Sequence, residues 1–163
     1  MADARRSEAV AAQVKLSGDR ELLIERTFDA PRDRVWQAYT DPKLVGKWWG
    51  RGNKLDIERM EVSPGGRWRF VEHSADGDLG FEGQFREVTK PERIVQTFAW
   101  DGMPGHEIVD TLTLEDLGDG RTKVVTNSVF ASKEERDEML KTGMEEGVNQ
   151  SYEALDKLLE AQR

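Results

Sequence analysis

The sequence predicts an α+β protein in which a seven-stranded antiparallel sheet curves around one long C-terminal helix, with two short helices closing one end. The first supporting feature is a run of strand-like segments separated by strong turn signals: Pro64-Gly65-Gly66, Asp76-Gly77, Lys90-Pro91, Asp101-Gly102 and Gly118-Asp119-Gly120. Such short links favour hairpins between neighbours in sequence. The second is the C-terminal segment, where Leu140, Met144, Val148, Tyr152, Leu155 and Leu159 recur at helical spacing. The third lies beside that ridge, where Gly143, Gly147 and Ser151 form a strip with almost no side chain. A ridge grips a core, whereas a bare strip either admits a close backbone or borders open space. Sheet, ridge and strip together predict a cavity between sheet and helix.

Taken in order, residues 1–19 are Ala-rich and charged and read as a loosely packed tail, with Val10 and Val14 on one side of any short helix formed there. Residues 20–163 read as one domain, a length able to build a substantial core. Glu21 to Asp29 is a strand with Leu22, Ile24, Arg26 and Phe28 on one face. Asp29-Ala30-Pro31 starts a helix, since proline suits the first helical position and Asp33 its positive end. Val35, Trp36 and Tyr39 form its buried face. Asp41-Pro42 starts a second short helix that runs to about Trp49 and ends at Gly50 and Gly52. Six strands follow, near 54–62, 67–73, 80–88, 93–100, 107–115 and 122–130. Ser132 with Glu135 is a capping box that opens the last helical region, in which Gly143 either bends or restarts the helix. A helix of ~20 residues spans ~30 Å, long enough to cover the apolar face of the meander.

Composition removes several function classes. With 32 acidic against 24 basic residues the net charge is −8, which opposes nucleic acid and anionic membrane surfaces. The absence of cysteine excludes disulfides, thiolate metal sites and cysteine nucleophiles. No apolar run approaches the ~20 residues of a membrane span, and residues 1–18 lack the apolar core of a secretory signal. The expectation is a cytoplasmic protein.

Strand parity assigns the inner wall. Trp68, Phe70 and Glu72 point inward because Arg67 and Arg69 occupy the other face. Phe81, Gly83 and Phe85 follow on the next strand, then Gln96, Phe98 and Trp100, then Asp110 and Leu112, then Thr126 and Ser128. The helix adds Met144, Gly147, Val148 and Ser151. Of Trp48 and Trp49, one packs in the core and the other, taken as Trp49, sits near the cavity mouth; an exposed pair would instead offer an aromatic patch to a partner. Apolar walls with a few converging polar groups describe a small-molecule site. Glu72 is the candidate general acid or base, because an unpaired buried carboxylate tends to hold its proton. Both acids have a second reading: Glu72 lies near a strand end and either converges on the cavity or reaches solvent, and Asp110, near its strand start, leans towards solvent.

His73, on the outer face, and His106, beside a turn, have no nucleophile or carboxylate at useful spacing and read as surface histidines. No nucleophile elbow, phosphate loop, dinucleotide fingerprint or metal cluster is present, so no cofactor or metal is expected.

Several motifs, in order, resemble one superfamily: Thr27-Phe28-Asp29-Ala30-Pro31 before Val35-Trp36, Asp41-Pro42 before Trp48-Trp49, Pro64-Gly65-Gly66-Arg67-Trp68-Arg69-Phe70, Pro91-Glu92-Arg93-Ile94-Val95, and Gly120-Arg121-Thr122. They are similar to the START-like (SRPBCC) superfamily, in the bacterial branch named after the activator of the heat-shock-protein-90 ATPase. The resemblance covers about residue 20 to the end and implies a helix-grip fold with a ligand cavity. It also implies an apolar residue at position 72, where this chain has Glu72, and the departure points to a ligand with a hydrogen-bond donor or positive charge. The superfamily includes carriers of hydrophobic ligands, polyketide cyclases and aromatases, and chaperone cofactors, and fold does not choose among them. The expected function is therefore binding of a small hydrophobic or amphipathic molecule. Cyclase-like catalysis in the same cavity and stimulation of a heat-shock chaperone are the alternatives.

Overall fold

The computed structural model describes residues 12–161. Its elements in chain order are β1 (Gln13–Ser17), β2 (Glu21–Phe28), α1 (Arg32–Thr40), α2 (Pro42–Trp48), β3 (Lys54–Met60), β4 (Arg67–Ser74), β5 (Gly77–Thr89), β6 (Arg93–Trp100), β7 (Glu107–Asp116), β8 (Thr122–Val129), α3 (Lys133–Lys141) and α4 (Met144–Ala161). All strands join one antiparallel sheet in the order β1-β2-β8-β7-β6-β5-β4-β3. The six strands from β3 to β8 are the predicted meander, and β2 closes against β8. The sheet and the C-terminal helix make the helix-grip arrangement that the sequence predicts.

The sheet has eight strands rather than seven. The added one, β1, lies inside the segment read as a tail. It is an edge strand held by its ladder to β2, and four of its five side chains are exposed. Gln13-Val14-Lys15-Leu16-Ser17 alternates polar and apolar residues, a short strand pattern that the reading of this segment as a tail passes over. Val10 lies outside the described residues.

Local chemistry sets the helix boundaries. The Asp41 side chain accepts from the Lys43 N–H and Pro42 occupies the first turn of α2. Gly50 and Gly52, both at positive φ, then turn the chain away. The Ser132 hydroxyl accepts from the Glu135 N–H at 3.1 Å and starts α3. Gly143, at φ 79°, separates α3 from α4, so the helix restarts.

The core lies between the inner sheet face and α1, α2 and α4. From β2 it takes Leu22, Ile24 and Phe28, which alternate with half-buried neighbours. From α4 it takes Tyr152, Leu155 and Leu159, with Tyr152 edge-on to Phe28 at 5.3 Å between centroids. Arg26 is buried on the same face, paired with Asp156 and lying over the Phe28 ring. On β5, Gly83 allows the Trp68 indole to cross and donate to the Thr97 carbonyl at 3.2 Å; a Cβ at Gly83 would lie 1.8 Å from that oxygen.

Candidate functional site

Sheet and helix do not fill the space between them. A cavity of about 480 Å³ remains, bounded by the inner face of β4 to β8, the loop after α2 and the first half of α4. Of the residues assigned to the inner wall by strand parity or helical spacing, Gly83 is taken up by the crossing Trp68 indole and the others line the cavity. From the sheet these are Trp68, Phe70 and Glu72, then Phe81 and Phe85, then Gln96, Phe98 and Trp100. Asp110 and Leu112 follow on β7, and Thr126 and Ser128 on β8. Trp49 comes from the loop, and Met144, Gly147, Val148 and Ser151 from α4.

The aromatic wall is continuous. Trp68 lies 4.8 Å from Phe70 and 6.0 Å from Phe98, Phe81 lies 5.5 Å from Phe98, and Trp49 closes the ring cluster on Phe70 and Phe81 at 5.3 and 5.0 Å. Trp48 is buried and donates from its indole to the Ala38 carbonyl at 2.8 Å. Neither tryptophan of the pair is exposed, so the aromatic surface patch considered from sequence does not form.

Glu72 does not reach solvent, and its charge is already matched. It is 1% exposed, and Arg51 pairs with it at 2.5 Å while the Asn53 amide donates at 3.1 Å. A carboxylate committed to a guanidinium and an amide is an anchor for the loop, not a free acid or base, which corrects its assignment as the catalytic candidate. The cation that the buried acid requires comes from the protein's own chain. Arg51 has φ 57°, its N–H donates to the Ser151 hydroxyl at 3.2 Å, and its side chain lies across Gly147. A Cβ at Gly147 would come within 2.7 Å of the Arg51 Cδ. The bare strip on α4 is thus the bed for Arg51. Since Arg51 lines the cavity while its side chain is 43% exposed, the wall meets solvent here. Arg51→Ala should destabilise the protein by about 1–3 kcal/mol in urea unfolding, because Glu72 stays buried with a polar partner missing. Arg51→Lys should recover only part of this, since an ammonium lacks the planar fork.

Asp110 differs from Glu72. It faces the cavity, and its one hydrogen bond is from the Ser128 hydroxyl at 2.5 Å. Burial pushes its carboxyl up to about 6, opposed by the Ser128 bond. Asp110 is half-buried and lines the cavity, so the surface it keeps is compatible with the expected contact with solvent. The strand register explains its neighbours: Gln96, Asp110 and Ser128 are cross-strand partners on β6, β7 and β8 and form a polar row across the wall. Opposite stand two tyrosines. Tyr152 is raised by burial, with Thr126 and Tyr39 beside it, and also by the Asp110 charge. Burial, with Tyr152 adding to it, raises Tyr39 further. The Tyr39 hydroxyl approaches Tyr152 without good hydrogen-bond geometry and is buried without a partner.

Arg51, Tyr39, Met103 and Met139 also line the cavity and escape the sequence assignment. Arg51 and Met103 lie in loops, where no periodicity reports direction; Tyr39 reads only as core. The histidines stay outside. His73 sits between Asp56 and Asp78 at 2.7 Å each, which raises its pKa, and His106 pairs with Glu135. Among the described residues no cluster of His, Cys, Asp or Glu could hold a metal ion, and no helix is long and apolar enough to cross a membrane.

The family profile described as "Activator of Hsp90 ATPase homolog 1-like protein" matches residues 29–160, most of the chain. The chain belongs to this family. Among solved structures, the Activator of Hsp90 ATPase homolog 1-like chain is similar to a protein from Rhodobacter sphaeroides (26% identity, covering 93% of this chain and 99% of that one, TM-score 0.85). It is similar also to a protein from Arthrobacter aurescens (26% identity, 91% of each chain, TM-score 0.83). An HSP90 activator from Plasmodium falciparum shares the fold at 19% identity over 68% of this chain and 72% of that one, with a TM-score of 0.54. No curated protein matches. Within this family fold, the aromatic wall, the Glu72–Arg51 pair and the Asp110 row are the chemical features of this member's cavity.

Proposed function

We propose that this protein binds a small hydrophobic or amphipathic molecule in the cavity between sheet and C-terminal helix. The supporting observation is a largely apolar, partly open cavity of about 480 Å³ between sheet and helix, with a few polar groups at fixed positions. Interiors are otherwise close-packed, and ligand sites commonly measure ~300–1,000 Å³. Four of the five tryptophans, Trp48, Trp49, Trp68 and Trp100, line the space. Titration with an apolar aromatic probe such as naphthylmethanol should therefore change the intrinsic fluorescence saturably. Val148→Trp, which fills the cavity from the helix side, should weaken that binding by at least about tenfold, a loss of ~1.4 kcal/mol, with the circular dichroism of the fold retained. Equal affinity in both proteins would refute the location.

Asp110 favours a second reading, a cyclase-like enzyme in the same cavity, because a carboxyl poised at about 6 suits general acid or base work near neutral pH. That reading requires Asp110→Asn to abolish turnover of a bound substrate without loss of its affinity. Stimulation of a heat-shock chaperone, suggested by the family description and by the Plasmodium activator, draws no support from the Trp48–Trp49 region, whose rings are turned inward.

A further inference from the structure

The buried charged side chains Glu72 and Arg26 on the inner side have partners of opposite charge, Arg51 and Asp156. Asp110, half-buried on the same face, does not. Among the described residues no arginine, lysine or histidine pairs with it, and its one hydrogen bond is from a neutral hydroxyl. It opens onto a cavity walled by aromatic faces, which attract cations. A second unsatisfied group borders the same cavity, the buried Tyr39 hydroxyl.

We propose that the ligand is an apolar molecule carrying one protonated amine, with the ammonium seated on Asp110 and its body against the aromatic wall. This rests on the cavity being a ligand site. An ammonium has three N–H donors. The Asp110 carboxylate keeps an oxygen free beside the one bound by Ser128, and Gln96 and the Tyr39 oxygen supply further acceptors lining the cavity. A neutral ligand would leave the carboxylate buried and unbalanced, and an acid would meet it with like charge. The groups facing Asp110 are Gln96 from β6, Ser128 from β8 and Tyr152 from α4, with Tyr39 from α1 and Arg26 from β2 beyond Tyr152. Both tyrosines have raised pKa values, whereas the carboxyl of Asp110, at about 6, titrates between pH 5 and 8.

The test is calorimetric titration with three probes of one shape: naphthylmethylamine, naphthylmethanol and naphthoic acid. The expected result at pH 7.5 is amine at least about tenfold tighter than alcohol, with the acid weakest. Lowering the pH to 5 should remove most of the amine's advantage, because Asp110 then carries its proton. Asp110→Asn should abolish that advantage at pH 7.5, bringing amine and alcohol affinities to within about twofold of each other, with the circular dichroism of the fold retained. Equal binding of amine and alcohol, or an amine preference that survives Asp110→Asn, would overturn the proposal and leave the cavity reading standing. Failure of every probe to bind, or binding unchanged by Val148→Trp, would overturn the cavity reading and this inference with it.

Discussion

Leu155→Ala is expected to lower the unfolding free energy by about 2–5 kcal/mol, the largest loss from any single truncation considered for this protein. Leu155 is fully buried on α4, in the ridge that grips the sheet, and it does not line the cavity. Removing its isobutyl group opens a new void in close-packed surroundings that relax only partly. Val148, two turns earlier on the same helix, borders space that already exists, so Val148→Ala serves as the control and should cost clearly less. Urea unfolding of both variants checks this, and equal losses would mean that the ridge and the wall are not distinct surfaces.

Asp110→Asn should stabilise the protein at neutral pH, against the usual direction for a change at a buried polar residue. The folded protein keeps this proton up to about pH 6, while an ordinary aspartate releases it near 3.8. Its contribution to stability is therefore fully present below about pH 4, lost as the pH rises to about 6, and absent above. The difference amounts to about 3 kcal/mol at most. The amide accepts the Ser128 bond without carrying the charge, so the variant should gain up to that amount at pH 7.5 and almost nothing at pH 4. Other carboxylates have lowered values, Asp56 beside His73 and Asp101 beside Arg69 among them, and their stabilisation is lost on acidification. They act equally in both proteins, so the wild-type-to-variant difference isolates Asp110. An identical difference at both pH values would remove the buried charge from consideration.

The sequence made the strands from β2 to β8 legible because glycine, proline and aspartate at the turns fix where each one stops. Parity then gave the facing of the wall, since one buried face locks the register of each strand. Depth was not legible. Alternation puts Glu72 and Asp110 on the inner face, but whether an inward acid meets water depends on what lies over it. Over Glu72 lies Arg51, from a loop with no periodic signal; over Asp110 lies the cavity, which the sequence leaves unmeasured. The strand β1 is passed over although Val14 and Leu16 alternate with polar residues, because the run is short, buries little and is held by its backbone ladder to β2.

The missing side chain of α4 and the arginine of the distant loop work as keyway and key. With no side chain at Gly147, Arg51 lies across the helix and its head reaches Glu72; a side chain at 147 would require Arg51 to shift. One loop residue thereby ties the C-terminal helix to the inner face of the sheet, joining segments that lie about a hundred positions apart along the chain.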